Sequence, residues 1–363
     1  MPTDLEELGW NDFVAEAARE FQQLAPARVA LVFRGGYEVW SSEGEFLAQV
    51  SGRFRHRVQA KSEYPATGDF VMIEPVPGEP KALIHAVLPR RTKLSRTVAG
   101  RTTNEQVLAT NIDDVFIAAS LSNTLRPRTL ERYLTVVRDS GARAILLLTK
   151  ADLCGNVLDA LEAAHRIGGD TPVIPVSSFC EIGLAEVRGL ITKGRTAAIL
   201  GPSGVGKSTL INALVGEEIL PTVPVREDDQ KGRHTTTERE MVRLPRGGLI
   251  IDTPGLREIQ LWEGEEGLAD AFREITELSA QCRFTDCQHE TEPGCAVLLA
   301  IKTGELPPER LASFKKLKRE IDQFDSRRDV RAQAEQKRKS KQLSKEVQNR
   351  LRAKGRIGTC GDD

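Results

Sequence analysis

The chain has 363 residues, 40% of them hydrophobic and 28% charged, with a formal net charge of −1. That length accommodates two or three domains, and the balance of apolar and charged residues excludes a collagen-like, low-complexity or wholly disordered protein. Residues 1–20 are acidic where a secretory leader is basic and then apolar, and no apolar run approaches the ~18 residues of a membrane span, so a cytoplasmic protein without a membrane partner is expected.

Leu5, Leu8, Trp10, Phe13, Val14, Ala17 and Phe21 mark one face of an acidic helix, an N-terminal extension over 1–28 that either docks on the body or stays mobile. From Ala30 the pattern changes to short alternating runs at 30–33, 37–40, 45–50, 68–73 and 82–87. With glycine-rich turns between them, these predict a small β-barrel. Arg53, Arg55, His56, Arg57 and Lys61 fall on its second connection, where such barrels bind oligonucleotides. The same charges describe a solvated loop equally well. A polar linker, roughly 96–106, then leads to a strand at 114–119.

The apolar run 144–148 ends in Thr149-Lys150-Ala151-Asp152. A carboxylate there can accept both N1–H and the 2-amino group of guanine, a donor pair that adenine lacks, although taken alone the string also describes a strand end with a solvated Lys/Asp pair. Ser177 and Ser178, after Val176, form a candidate base-contacting loop.

Gly201-Pro202-Ser203-Gly204-Val205-Gly206-Lys207-Ser208-Thr209 is a phosphate loop between an apolar stretch, 196–200, and a helical run, 209–215. Strand, glycine loop and helix N-terminus together let backbone N–H groups wrap a polyphosphate, with Lys207 reaching the β/γ oxygens and Ser208 the magnesium. Asp252-Thr253-Pro254-Gly255 closes the run 248–251 and places Asp252 for water-mediated magnesium contact and the Gly255 N–H near the γ-phosphate. Three such pieces at strand ends make GTP the expected nucleotide. In an ordinary GTPase the phosphate loop comes first and the guanine motif last. Here Thr149–Asp152 precedes Gly201, so the domain is circularly permuted.

Many GTPases follow the glycine of the third motif with a glutamine that orients the attacking water; this chain has Leu256. Slow intrinsic turnover is expected, with another group supplying the function. His234, in the long polar loop 224–237, is the best internal candidate for the catalytic residue. Thr235 or Thr236 is expected to meet magnesium, Thr236 being the candidate ligand.

Cys282, Cys287, His289 and Cys295 lie within fourteen residues, a set of three thiolates and one imidazole that suits a closed, structural zinc site. Cys154, Cys180 and Cys360 have no patterned partners and should be reduced thiols. Leu311, Phe314, Leu317, Ile321 and Phe324 recur at helical spacing, the mark of an amphipathic helix packed on the zinc segment. From Arg310 to Arg356 there are 17 Lys/Arg against 6 Asp/Glu, a segment charge of +11 in a chain of −1. Such a tail suits a phosphate-rich partner, though a solvated helix face is the plainer account.

Taken together, the barrel, the order TKAD, GPSGVGKST, Gly232-Arg233-His234-Thr235-Thr236-Thr237 and DTPG, and the Cys/Cys/His/Cys spacing resemble the circularly permuted GTPases of the RsgA/YjeQ family over roughly residues 29–318. The resemblance implies an OB-fold RNA-binding barrel over 29–96, a permuted P-loop GTPase domain over 97–261 and an α-helical zinc-binding domain over 262–326, a multidomain α/β protein that the helical extension 1–28 and the basic tail 327–363 flank. It further implies a monomer that hydrolyses GTP to GDP and phosphate with Mg2+, holds one structural Zn2+, binds the 30S subunit and 16S rRNA during late maturation, and uses His234 as the catalytic histidine. Two other readings compete with it: an ATP-dependent enzyme, which Asp152 disfavours, and a GTP-regulated RNA-binding adaptor with little turnover.

Overall fold

The computed structural model describes residues 4–98, 104–122, 125–202, 204–220, 239–253, 268–269 and 271–319. Helix α1, Asp12–Ala18, is capped by Asn11, whose side chain accepts from the Val14 N–H, and a 3-10 turn, Arg19–Phe21, follows it. This segment is docked on the body. Trp10, Val14, Ala17 and Phe21 pack with Phe70, Met72, Ala86 and Leu88, while Leu8 is buried in the main core.

Strands β1, Ala25–Phe33, β2, Gly36–Ser41, β3, Gly44–Val50, β4, Phe70–Pro75, and β5, Lys81–Val87, close on themselves in the circuit β1-β2-β3-β5-β4-β1, with β3 and β5 parallel. This is the OB-like barrel that the resemblance implied. Its first strand starts at Ala25, inside the stretch assigned to the extension. Val29, Val39, Ala48, Val71, Ile73, Ala82 and Ile84 fill the interior. In β5 the buried residues alternate with more exposed ones, as a strand with one face inward requires. Helix α2, Gly52–Arg57, occupies the β3–β4 connection, held inward by buried Phe54, so that Arg53, Arg55, His56 and Arg57 stand exposed on a short helix rather than an open loop.

The expected polar linker is instead an antiparallel pair, β6, Lys93–Val98, and β7, Asn104–Thr110. Leu94, Leu108 and Ala109 bury one side of it, and the polar residues on its other side hid the pattern from a sequence reading.

The nucleotide-binding half is a doubly covered sheet. Strands β8, Asp114–Ser120, β9, Arg143–Thr149, β10, Val173–Val176, β11, Thr196–Leu200, and β13, Leu249–Asp252, are parallel in the order β10-β9-β8-β11-β13, and β12, Arg239–Arg243, joins β13 antiparallel. Alternate residues feed two cores. Val115, Ile117, Leu146, Leu148, Ala198 and Leu200 face helices α3, Pro127–Asp139, and α4, Val157–Gly168, whereas Phe116, Ala118, Ile145, Leu147, Ala197 and Ile199 face α5, Leu184–Leu190, and α6, Lys207–Val215. Burial on both faces explains why these strands read as unbroken apolar runs.

Barrel and GTPase sheet are continuous, because β12 pairs antiparallel with β1 at Leu31↔Glu240 and Val32↔Arg239. Arg28 on β1 is fully buried at this junction. It donates to the Leu8 carbonyl, the Thr196 hydroxyl at 2.7 Å, the Asn111 carbonyl at 3.0 Å and the Gly68 carbonyl at 3.2 Å. Burial pulls its pKa down to about 9 against the charges of Asp113 and Asp69, which leaves it a cation at neutral pH.

Helices α7, Arg273–Ser279, α8, Ala296–Thr303, and α9, residues 308–319, form the C-terminal part. Phe272, Ile275, Val297, Ala300, Leu306, Leu311 and Leu317 belong to the same core as the α3 and α4 face. Arg310 makes the polar link, donating to Glu131 of α3 at 3.0 Å, Glu274 at 2.6 Å and the Ala271 carbonyl at 2.7 Å. Among the described residues no helix is long and apolar enough to cross a membrane. Ile321, Phe324 and the tail over 327–363 lie outside the described residues.

Candidate nucleotide and metal sites

Strand order reverses between β8 and β11: β8, β9 and β10 run outward to one side, and the chain then returns to lay β11 against the other edge of β8. In open α/β sheets ligands bind beyond the strand C-termini at such a reversal, and the phosphate loop leaves β11 there. Gly201 has φ +152, and a Cβ on it would come within 2.6 Å of the Ala118 carbonyl, so the loop can enter the crevice only through glycine. Gly206, at φ +99, is the N-cap of α6 and turns its first N–H groups toward the loop.

Lys207 is buried and curls back to the Gly201 carbonyl at 2.9 Å and the Pro202 carbonyl at 3.0 Å, which pins its ammonium over the loop. Asp252 at the end of β13 is buried as well, and its Oδ1 has no hydrogen-bond partner. Burial pushes Lys207 below the ordinary lysine value and Asp252 above the ordinary carboxylate value, each opposed by the other's charge. A cation and an orphaned carboxylate oxygen, both desolvated at one strand end, fit a magnesium-bound polyphosphate, which supplies the anion for Lys207 and metal-bound water for Asp252. Ser208 and Thr209 stand half-buried on the first turn of α6. Thr253 donates to the Ile199 carbonyl and ties this strand end to β11.

The guanine motif lies two strands away. Thr149 donates to the Val205 carbonyl at 2.6 Å and to the Ala119 carbonyl at 3.3 Å, so one hydroxyl clamps β9, β8 and the phosphate loop together. Lys150 takes the left-handed conformation, φ +59, and opens the 3-10 turn Ala151–Leu153 that presents Asp152 to solvent. The Ser177 hydroxyl donates to Asp152 Oδ1 at 2.6 Å, bringing the two predicted base-reading segments into contact. Ser178 follows, half-buried. Ser203, His234, Thr235, Thr236 and Gly255, with the whole loop 224–237, lie outside the described residues.

The second site gathers Cys282, Cys287, His289 and Cys295, whose ligand atoms all lie within 4.8 Å of one another. Cys282 and Cys295 Sγ are 3.8 Å apart, and His289 Nδ1 is 3.7 Å from Cys282 Sγ and 3.4 Å from Cys295 Sγ. A tetrahedron with Zn–S of ~2.3 Å has S···S edges of about 3.8 Å, so these separations fit zinc with four protein ligands and no open position. His289 Nε2 faces the Ser279 hydroxyl at 3.0 Å, which orients the ring as metal-bound imidazoles require. Burial first, then the charges of Lys315 and Lys318 against that of Glu292, hold His289 below its usual pKa and favour the neutral ligand form. Glu292 accepts from the backbone N–H groups of Gln288 at 2.8 Å, Glu290 at 2.7 Å and Thr291 at 3.0 Å, and these bonds, that of Glu290 foremost, pull its carboxyl down to about 2. Neither Ser279 nor Glu292 was singled out in the sequence, since no spacing rule marks a residue that binds only backbone or a ligand's far nitrogen.

A family model described as RsgA GTPase matches residues 87–262. A second, described as ABC transporter, matches 184–354, a span that contains the phosphate loop common to many nucleotide-binding proteins. The chain is 44% identical over 327 residues to the small ribosomal subunit biogenesis GTPase RsgA of Opitutus terrae, covering 87% of this chain and 89% of that protein. With the protein of the same description from Streptomyces coelicolor it shares 41% identity over 339 residues, 91% of this chain and 90% of the relative. Among solved structures, YjeQ from Thermotoga maritima superposes with a TM-score of 0.61 at 25% identity, covering 82% of this chain and 98% of that one. YloQ, described as a circularly permuted GTPase, superposes at 0.60 with 22% identity over 84% and 97% of the two chains, a likeness of fold.

Proposed function

The chain belongs to the RsgA family of small ribosomal subunit biogenesis GTPases, and from that premise we propose that it binds the small subunit in its GTP form, hydrolyses GTP when the subunit stimulates it, and is then released. The observation that carries this reading is the convergence of Lys207, Asp252 and the Thr149 clamp at the sheet's reversal point, with Asp152 held by Ser177 beside them. Asp152 reads the guanine edge by accepting from N1–H and the 2-amino group, with Ser177 and Ser178 lining the base. The loop N–H groups of 201–206 and Lys207 hold the β- and γ-phosphates. Ser208, Thr236 and, through a water, Asp252 would hold magnesium, which would supply charge neutralisation at the β- and γ-phosphates.

Leu256 cannot hydrogen-bond a water, and so in this reading the subunit orders the loop 224–237 and brings His234 to the attacking water, while Gly255 offers its N–H to the γ-phosphate. Support for this comes from the sequence and the family, since these residues lie outside the described ones. The zinc ion held by Cys282, Cys287, His289 and Cys295 is structural, because four protein donors leave no position for substrate. The division into extension, barrel, GTPase domain, zinc domain and tail, with later boundaries at residues 96, 261 and 326 and the barrel opening at Ala25 rather than after residue 28, belongs to the same proposal and is supported by the separate barrel core and the compact zinc cluster. The exposed Arg53, Arg55, His56 and Arg57 on α2 and the charge of +11 over residues 310–356 suit 16S rRNA as the contact on the 30S subunit. The protein acts as a monomer in the cytoplasm.

The deciding experiment is GTP hydrolysis with and without purified small subunits. Turnover that rises at least tenfold with subunits supports the proposal. Tight GTP binding with no turnover in either condition selects the RNA-binding adaptor instead.

A further inference from the structure

Phe179 is 82% exposed, the most exposed of the large apolar side chains among the described residues. Leaving a phenyl ring in water forfeits a burial that is worth ~1.5–3 kcal/mol for such a side chain, and the loop that carries Phe179 is not a slack one. The Ser177 N–H donates to the Ile182 carbonyl at 3.0 Å and the Cys180 N–H to the Ser177 hydroxyl at 3.1 Å, closing a tight turn with Phe179 at its tip. Glu181 and Gly183 both take positive φ to complete it, and a Cβ on Gly183 would come within 2.2 Å of the Pro175 carbonyl. The backbone is therefore organised to hold this ring out.

The same turn supplies the hydroxyl that fixes Asp152, at 2.6 Å. Two residues of chain span at most about 7 Å, so the Phe179 backbone lies within that distance of the serine bonded to the guanine-reading carboxylate. The turn thus lies beside the carboxylate that would read a purine's edge. We propose that Phe179 is a base-stacking residue, whose ring lies against the face of the guanine that Asp152 reads by its edge. This rests on the guanine reading of Asp152 and extends it. The carboxylate chooses the base by its donor pair, whereas the ring adds affinity without choosing, since every purine has a π-face.

The two roles separate experimentally. In equilibrium titrations of the full chain with GTP, GDP, xanthosine triphosphate and inorganic tripolyphosphate, Phe179→Ala should weaken GTP and GDP alike by about 5- to 150-fold, the range measured when aromatic platforms under bases are removed. The already weak xanthosine triphosphate should lose a similar factor, and tripolyphosphate, which has no base, should bind as before. Phe179→Trp should restore nucleotide affinity, with its fluorescence changing on GDP addition. Unchanged GDP affinity in Phe179→Ala overturns the proposal, as does an equal loss for tripolyphosphate, and so does normal nucleotide binding combined with weakened subunit binding, which would make the ring a docking contact. Failure of the guanine reading is a different result: Asp152→Asn would keep its preference for GTP over xanthosine triphosphate whatever Phe179 does.

Discussion

Asp152 is exposed and bonded through one oxygen to Ser177, which leaves acceptor capacity for the guanine edge proposed for it. Hydrogen bonds to a charged group contribute about 1.5–3 kcal/mol each. Asp152→Asn should accordingly weaken GTP by tens- to hundreds-fold and improve xanthosine triphosphate, whose 2-oxo group accepts from the new amide; competition titrations check both directions. Retained GTP preference would remove Asp152 from base selection. At the same scale, Ser177, named for contacting the base, also donates its hydroxyl to Asp152 and fixes the orientation of that carboxylate. That pairing joins residues 25 apart in sequence and so has no local signature.

The zinc-binding helices depend on two attachments of different character. Within the cluster, four ligands organise the loop between α7 and α8, which Glu292 and the Cys295 cap of α8 hold in shape. Structural zinc supplies about 10–16 kcal/mol to small zinc folds. Metal analysis should return about one zinc per chain, and Cys287→Ala should lower that figure and make residues 271–319 sensitive to protease, while leaving GTP binding in place. Zinc-free protein from a chelator-free preparation would count against the site. Toward the GTPase sheet, Arg310 lies between Glu131 and Glu274 and over the Phe272 ring, its carbon at 4.1 Å from the ring centre, with Glu131 almost wholly buried. Removing one partner of a buried pair strands the other and costs about 3–5 kcal/mol. Arg310→Ala should lower the unfolding free energy measured by denaturant titration by that amount, and adding Glu131→Gln should recover part of it; additive losses in the double mutant would refute a direct pairing.

Across the whole molecule, one sheet runs from the guanine motif through β13, β12 and β1 into the barrel, and Arg28 joins the N-terminal segment, the barrel and β11 in a single buried network. A change at the nucleotide crevice is thereby connected through packed elements to the surface proposed for RNA, and a ligand can shift such an equilibrium only by its differential affinity for the two states. The GTP and GDP forms should therefore differ in subunit affinity, with GTP favouring docking. His234→Ala should keep GTP and subunit binding yet lose stimulated hydrolysis by about 100-fold or more, the scale of a lost general acid–base group. Sedimentation with subunits and a phosphate-release assay separate binding from turnover. Full stimulated turnover by this variant would end the histidine's role, and equal affinity of the two nucleotide forms would end the switch.

Reading the chain alone determined the chemistry: the phosphate loop, the guanine and magnesium motifs in permuted order, the four metal donors and the barrel strands are local strings whose spacing follows directly from backbone geometry. It misplaced the segment 96–106 as a linker because β6 and β7 bury only one face, through Leu94, Leu108 and Ala109, among mostly polar neighbours. It passed over Arg28, Arg310, Ser279, Glu292 and Phe179. Arg28 meets Thr196 across 168 residues and Arg310 meets Glu131 across 179, and no window of sequence contains both partners. Phe179 carries no local pattern that marks it, and only the tertiary structure shows it held out in water. Local motifs name the groups that touch a ligand, because those must sit at fixed offsets on one turn or strand end. Which buried charges meet, which hydroxyl orients which carboxylate and which ring is left uncovered are settled by long-range packing, where only the folded chain brings the partners together.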